Sequence, residues 1–329
     1  MKRKEFISTS LLGVVGLSSG QNFFTKIKAP FEKSSISNLQ LGKLDEEKMK
    51  ICIFSKQLQW LNYQDMAYAV AEMGYDGIDL TVRDNGHVLP ERVEEDLPKA
   101  VDAAKSAGIE IMMISTDIIN ANEPKAERIL KTAAGLGIHH LRTNGLNYQP
   151  DLDIPCNIEK IKQDFIGLSE INKKYGVRSD YLNHSGEGFG SSLWDLWLTL
   201  KDLNHEYIGS QYDIKHATIS GAHSWPTSFK LIHKYVRTMV VRDFRWEKIG
   251  NKWEVIPVAI GEGMVDFDNY FKLVKKYEIK GPISVMCDYN LGGAENGSKS
   301  LMIPEKDVLD AMRKDLLSLK SKLELAGIR

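Results

Sequence analysis

Tyr207-Ile208-Gly209-Ser210-Gln211-Tyr212-Asp213-Ile214-Lys215-His216-Ala217 opens as a strand and closes on an acid and, three residues later, a histidine. Thr218-Ile219-Ser220-Gly221 follows, a loop composition. Residues three apart in a regular strand point to opposite faces, so Asp213 and His216 converge only if the strand ends between them. The stretch reads as a scaffold strand that delivers chemistry at its C-terminal end. Outward from it the same rhythm repeats. Apolar runs of strand length lie at residues 50–54, 78–82, 109–114, 138–142, 177–182, 237–241 and 283–287. Helical periodicity fills 65–73, 90–107, 124–134, 158–175, 193–203, 228–235, 266–277 (with Asp266 as N-cap) and 305–325. The runs show little alternation, as strands buried on both faces do. Eight strand–helix units of this kind predict an α/β fold, a parallel eight-stranded (β/α)8 TIM barrel over residues 50–329. Neither a Gly-x-Gly-x-x-Gly turn after the first strand nor a Gly-Lys-[Ser/Thr] loop is present, so the nucleotide-binding alternatives lack their motifs.

With 329 residues, 43% of them hydrophobic, the chain can bury a large core. Its 43 Lys and Arg against 44 Asp and Glu leave a formal charge of −1, which argues against a nucleic-acid partner. Cys52, Cys156 and Cys287 are far apart and odd in number, and read as buried thiols without a disulfide framework. Lys2-Arg3-Lys4, an apolar stretch from Phe6 to Leu17, and Ser18-Ser19-Gly20 read as an export signal over residues 1–20, too short to span a membrane. Arg3-Lys4-Glu5-Phe6-Ile7 resembles a relaxed twin-arginine signal, so a periplasmic or exported location is expected. Residues 21–49, rich in Ser, Lys and Asn, read as a linker.

In a barrel of this type the active site forms at the C-terminal strand ends. Four successive ends carry acids, and two of them histidines: Asp180 with Asn183 and His184; Asp213 with His216; Arg242 with Asp243; and Asp288. Carboxylates with imidazole suit a divalent cation such as Mn²⁺, Zn²⁺ or Mg²⁺. The alternative reading of Asp213, the lesser one, is an N-cap or turn residue, and Asp243 reads equally as an ordinary ion-pair partner of its neighbouring arginines. His223 and Trp225 follow the sixth strand and are expected to line the mouth. Trp225, Trp246 and Trp253 are candidates to stack on a ligand ring or to fill core. Gly250-Asn251 between Trp246 and Trp253 signals a hairpin beside the mouth. Glu262 sits in Gly261-Glu262-Gly263, a turn or a ligand loop.

The segments Asn183-His184-Ser185-Gly186, Tyr212-Asp213-Ile214-x-His216-Ala217, Val240-Val241-x-Asp243-Phe244, Gly261-Glu262-Gly263-Met264-Val265-Asp266-Phe267 and Gly281-Pro282-Ile283-Ser284 are similar to the sugar phosphate isomerase/epimerase family of xylose isomerase-like TIM barrels. The resemblance covers about residues 50–325, and implies a divalent metal held by Asp213, His216, Asp180 and Asp288. The chain departs from the family pattern at its seventh strand, which lacks the usual His, and at its eighth, where Asp288 stands for a Glu. The resemblance implies a metal-dependent isomerase or epimerase of a keto sugar, working through an enediolate. Asp180, Asp288 and His184 would be catalytic, and Asn183, Arg242, Asp243, His223, Trp225, Trp246 and Glu262 would bind substrate. Two alternatives stay open: a lyase or hydratase that eliminates from 3-keto-glycosides, and a non-catalytic carbohydrate-binding barrel. The expected partner is a small carbohydrate, with neither nucleic acid nor membrane; homo-oligomerisation is left open.

Overall fold

The computed structural model describes residues 48–329. The expected export signal, and the expected linker up to residue 47, lie outside the described residues. Met49 is already buried in the core, so the fold begins slightly before its first strand.

Ten strands form in chain order: β1 (Ile51–Phe54), β2 (Gly77–Val82), β3 (Glu110–Thr116), β4 (His140–Arg142), β5 (Arg178–Leu182), β6 (Ile208–Asp213), β7 (Val236–Val241), β8 (Asp243–Ile249), β9 (Lys252–Val258) and β10 (Ile283–Val285). Eight of them close into a barrel in the order β1-β10-β7-β6-β5-β4-β3-β2, parallel throughout. Closure joins Ile51 to Ile283. β8 and β9 stand apart as an antiparallel hairpin turning at Gly250-Asn251, as their sequence signals. No helix of the described residues is long and apolar enough to cross a membrane.

The helices are α1 (Tyr63–Met73), α2 (Val93–Ser106), α3 (Ala126–Gly135), α4 (Ile154–Tyr175), α5 (Trp194–Leu200), α6 (Ile214–Gly221), α7 (Trp225–Ile232), α8 (Phe267–Lys276) and α9 (Glu305–Leu325). Side-chain caps set where four of them start. Asn62, Asp153, Asp213 and Asp266 each accept from the backbone N–H three residues on, which satisfies a donor the helix cannot. α6 was expected as loop. It is a helix because Asp213, the last residue of β6, is also its N-cap.

The outer faces of the strands, with Ile51, Ile53, Ile78, Leu80, Ile114 and Val285, pack against the helices in one continuous core. Inside the barrel the side chains are mixed. Asp79 accepts from Ser115 Oγ at 2.7 Å and Ser284 Oγ at 2.8 Å, and burial pushes its carboxyl upward. Above this polar layer Phe54, Val240 and Met286, with Leu182 against them, make an apolar cluster on β1, β7, β5 and the end of β10. The thiols of Cys52 and Cys287 are buried, but Cys156 is exposed; it falls in the first turn of α4, where the start of an amphipathic helix faces solvent.

Candidate active site at the barrel mouth

Asp213 and His216 meet for a local reason. Asp213 Oδ1 accepts the backbone N–H of His216 at 3.1 Å, an N-cap to N3 bond, and this turn brings the imidazole over the strand end. Asn183, fully buried, donates to the carbonyl of Asp213 at 3.0 Å and accepts its N–H at 2.7 Å. It therefore fixes the end of β6 and is not placed to bind substrate.

The other oxygen of Asp213 is committed to an arginine. Arg242 Nε and Nη2 both lie 2.6 Å from Oδ2, and Nη1 bonds Asp288 Oδ2. Lys215 Nζ reaches the same Asp288 oxygen at 3.1 Å. One guanidinium thus bridges the acids of two strand ends, with an ammonium behind it. Burial works against the charge of Arg242, but Asp213 and Asp288 outweigh it and hold the guanidinium above the ordinary arginine value. Burial likewise opposes the charge of Asp288; Arg242 and Lys215 overcome it and hold the carboxyl at about 2. An acid so held stays ionised and is a weak base, which removes Asp288 from the expected proton-transfer role.

Asp180 does not reach the mouth. It is mid-strand in β5, 1% exposed, with Oδ1 on Arg178 Nε at 2.6 Å and Oδ2 on Thr238 Oγ1 at 3.2 Å. Arg178 continues to the carbonyl of Tyr235 at 2.6 Å, at the N-terminal end of β7. The guanidinium crosses β6 at Gly209, where an added Cβ would stand 1.7 Å from Arg178 Nη2. Asp180 is a sealed structural acid, contrary to its expected catalytic and metal-binding roles, because the inward face of β5 carries its own arginine two residues away.

His184 and His216 lie ring against ring, tilted by 35°, with centroids 3.7 Å apart. His216 Nδ1 faces Ser185 Oγ at 2.7 Å, and its Nε2 is buried without a partner. Burial, with Arg242, His184 and Lys215 nearby, keeps this imidazole well below the ordinary histidine value, so it is neutral near pH 7. His184 Nδ1 lies 2.9 Å from the carbonyl of Ser185. A carbonyl only accepts, so Nδ1 carries the proton and neutral His184 keeps a free lone pair on Nε2.

Other expected substrate contacts are placed elsewhere. Asp243 is buried and accepts the N–H groups of Phe244, Gly261, Gly263 and Val265, stapling the loop after β9. Gly263 is required there, since a Cβ would sit 2.2 Å from Asp243 Oδ1. Glu262 points out to Lys314 at 2.7 Å. Trp225 is core, edge-on to Tyr270. His223 is exposed before α7, and Trp246 and Trp253 are exposed on the hairpin; like Trp225, none of these three lines the mouth cavity.

The donors at the mouth do not fit the expected metal. Both acids that reach it are already bonded to cations, Asp180 is below, and the inward side chains at the ends of β1, β5 and β7, with Met286 just past β10, are apolar. Among the described residues no three His, Cys, Asp or Glu side chains converge as cation ligands. A divalent ion would have to expel Arg242 from Asp213.

The mouth holds instead a cavity of about 230 Å³ whose charged walls are Lys56, Arg83, Arg142, Arg242 and Asp288, with His184 beside them, over a floor of Phe54, Leu182 and Met286. Lys56 follows β1, Arg83 follows β2 and Arg142 ends β4. Sequence reasoning missed all three, because only acids and histidines of the later strands were sought. Cavities of about 270 and 510 Å³ open at the N-terminal strand ends, around Lys50 and Glu110 and around Arg237 and Gly281, where barrels of this kind carry stability rather than chemistry.

Residues 67–312 match the family described as xylose isomerase-like TIM barrel. A comparison with curated proteins gave no match. Among solved structures the chain is similar to a 3-keto-D-glucoside 4-epimerase from E. coli (14% identity, 83% of this chain and 100% of that one, TM-score 0.61). It is also similar to a D-psicose 3-epimerase from Clostridium cellulolyticum H10 (12% identity, 84% and 99%, TM-score 0.65). A third is the IOLI protein, solved with a bound zinc atom (17% identity, 83% and 99%, TM-score 0.65). At these identities the likeness speaks for the shared barrel.

Proposed function

The chain belongs to the xylose isomerase-like TIM barrel family, and we propose on that premise that it is an isomerase- or epimerase-type enzyme that moves a proton beside the carbonyl of a sugar-derived substrate. The observation that carries the reading is the Asp213–Arg242–Asp288 bridge at the barrel mouth, beside a histidine with a free Nε2. Epimerases share this barrel, and their general problem is to stabilise the enediolate left when a proton departs.

In this chain the stabilising charge is Arg242. Guanidinium has five N–H donors; Nε bonds Asp213 and Nη1 bonds Asp288, with Nη2 also close to Asp213. Arg242 lines the cavity, and its unbonded N–H groups are the donors for a carbonyl oxygen as it becomes an oxyanion. The two acids fix the plane of the guanidinium before substrate arrives, so little reorganisation accompanies the charge build-up. His184 Nε2 takes the proton; in an isomerisation it returns it to the adjacent carbon while the hydroxyl proton there passes to the former carbonyl oxygen, and in an epimerisation the same carbon is reprotonated on its opposite face by solvent. His216 lies against it as a neutral ring that orients it without repelling its positive form. The expected metal dependence is thereby replaced by a resident cation. A β-elimination from a 3-keto-glycoside would begin with the same abstraction.

The test is exchange in D₂O, followed by NMR, across keto sugars and 3-keto-glycosides. Deuterium is expected at the carbon beside the carbonyl of at least one of them. Release of an aglycone would identify elimination, and no exchange with any of them would leave a binding barrel.

A further inference from the structure

Three cations at the mouth have no role in the proton transfer. Arg142 is 7% exposed, and among the described residues its guanidinium has neither an ion-pair partner nor a hydrogen-bond acceptor. It lies over the Phe54 ring, 4.7 Å from the centroid, and Arg83 lies over the same ring at 5.6 Å. Lys56 lines the same cavity. Asp79, the acid that pulls most on Arg142, has its oxygens engaged by Ser115 and Ser284. The three cations sit on the ends of β4, β2 and β1, an arc of the barrel apart from the Asp213–Arg242 pair on β6 and β7. Among the described residues only Asp288 supplies negative charge to the cavity, and it is already shared by Arg242 and Lys215.

A buried guanidinium without a counter-ion is unfavourable unless something brings one. Burial, with Arg83 and Arg242 repelling it, drops Arg142 to about 10 even though Asp79 pulls the other way. Burial also lowers Lys56, with Arg83, Arg242 and Arg142 adding to the effect against Asp288. The cost falls on positions that face the ligand space, and Arg142 keeps its planar fork of donors for a bidentate oxyanion.

We infer that Arg142, Arg83 and Lys56 form an oxyanion-binding subsite, so that the substrate is a sugar derivative carrying a carboxylate or a phosphate. The sugar part rests on the function proposed above; the anion part rests on the three cations alone, none of which has an ion-pair partner among the described residues. The cavity, near the lower end of ligand pockets, suits one ring with its anionic group.

The test is titration calorimetry on the full chain with D-glucuronate, D-glucose 6-phosphate, inorganic phosphate, D-glucose and D-fructose at low and moderate salt. At least one of the two anionic sugars is expected to bind tenfold or more tighter than the neutral ones, and the preferred one distinguishes carboxylate from phosphate. Binding should weaken with salt. Arg142→Met should cost the anion tenfold or more and leave neutral-sugar binding unchanged. Arg83→Gln, at a partly exposed position, should cost it several-fold and serves where Arg142→Met does not fold. Equal affinity for anionic and neutral sugars, equal loss of both in the variants, or binding of none of them would overturn the subsite. Such a result together with intact deuterium exchange would leave the proton-transfer reading standing; anion-selective binding without exchange would do the reverse.

Discussion

Arg242→Met removes the cation that, among the described residues, is bonded to the fully buried carboxylate of Asp213. Asp213 is 0% exposed, and both of its short contacts with a cation come from Arg242. Breaking a buried pair on one side costs about 3–5 kcal/mol, since the remaining charge is left in a low-dielectric site. Asp288 adds little, because Lys215 at 3.1 Å and partial exposure still serve it. For a domain of this size each kcal/mol is worth about 2–4 °C, so the melting temperature should fall by roughly 6–20 °C. Adding Asp213→Asn to the variant should recover much of the loss, because Asn still caps α6 and no charge is stranded. A double-mutant cycle by urea unfolding, followed by circular dichroism, should give a coupling of about 2 kcal/mol or more. A loss under about 1 kcal/mol, or a coupling near zero, would refute the view that Arg242 is the resident counter-ion. The same variant should slow proton exchange by about 10²-fold or more, the scale of a lost oxyanion donor.

His184→Asn, at an exposed position, should reduce exchange by about 10²–10⁴-fold while the melting temperature stays within a degree or two of the parent. Gly209→Ala should destabilise the chain by about 3 kcal/mol in urea melts, since its Cβ would stand 1.7 Å from Arg178 Nη2 and 2.4 Å from the Tyr235 carbonyl. Burial lowers His87 from 6.5 to about 4, against its bond to the Leu58 carbonyl. Its contribution is therefore complete above pH 6.5 and is lost as pH falls from 6.5 toward 4, by up to about 3 kcal/mol at 1.36 kcal/mol per unit. Urea midpoints measured across that window should fall less steeply in His87→Gln.

The barrel was legible because parallel strands covered on both faces write themselves as apolar runs, and glycine stops such as Gly74 and Gly176 mark the helix ends with φ of 89° and 66°. α9 was placed to the residue, whereas α6 was missed because Thr218-Ile219-Ser220-Gly221 has loop composition and its helix is fixed by the Asp213 cap. The Asp213–His216 convergence was visible for the same reason. Asp180 misled because a strand-end acid and a mid-strand acid look alike until the register pairs it with Gly209 and Arg142. Asp243 and Asn183 misled because a polar side chain beside a site can serve backbone groups only, and sequence does not show which N–H groups will need it. Lys56, Arg83 and Arg142 were within reach of the strand-end rule that found the acids; applied to the first four strands, it would have returned a cationic arc.

The most direct measurement is deuterium exchange into a keto sugar acid or keto sugar phosphate by protein dialysed against EDTA, with metal content read by elemental analysis on the same sample. The site described here predicts exchange at the carbon beside the carbonyl, with less than a tenth of an equivalent of Mn, Zn or Mg bound, lost in Arg242→Met and His184→Asn. Exchange that appears only when a divalent ion is restored, and that survives Arg242→Met, would contradict it.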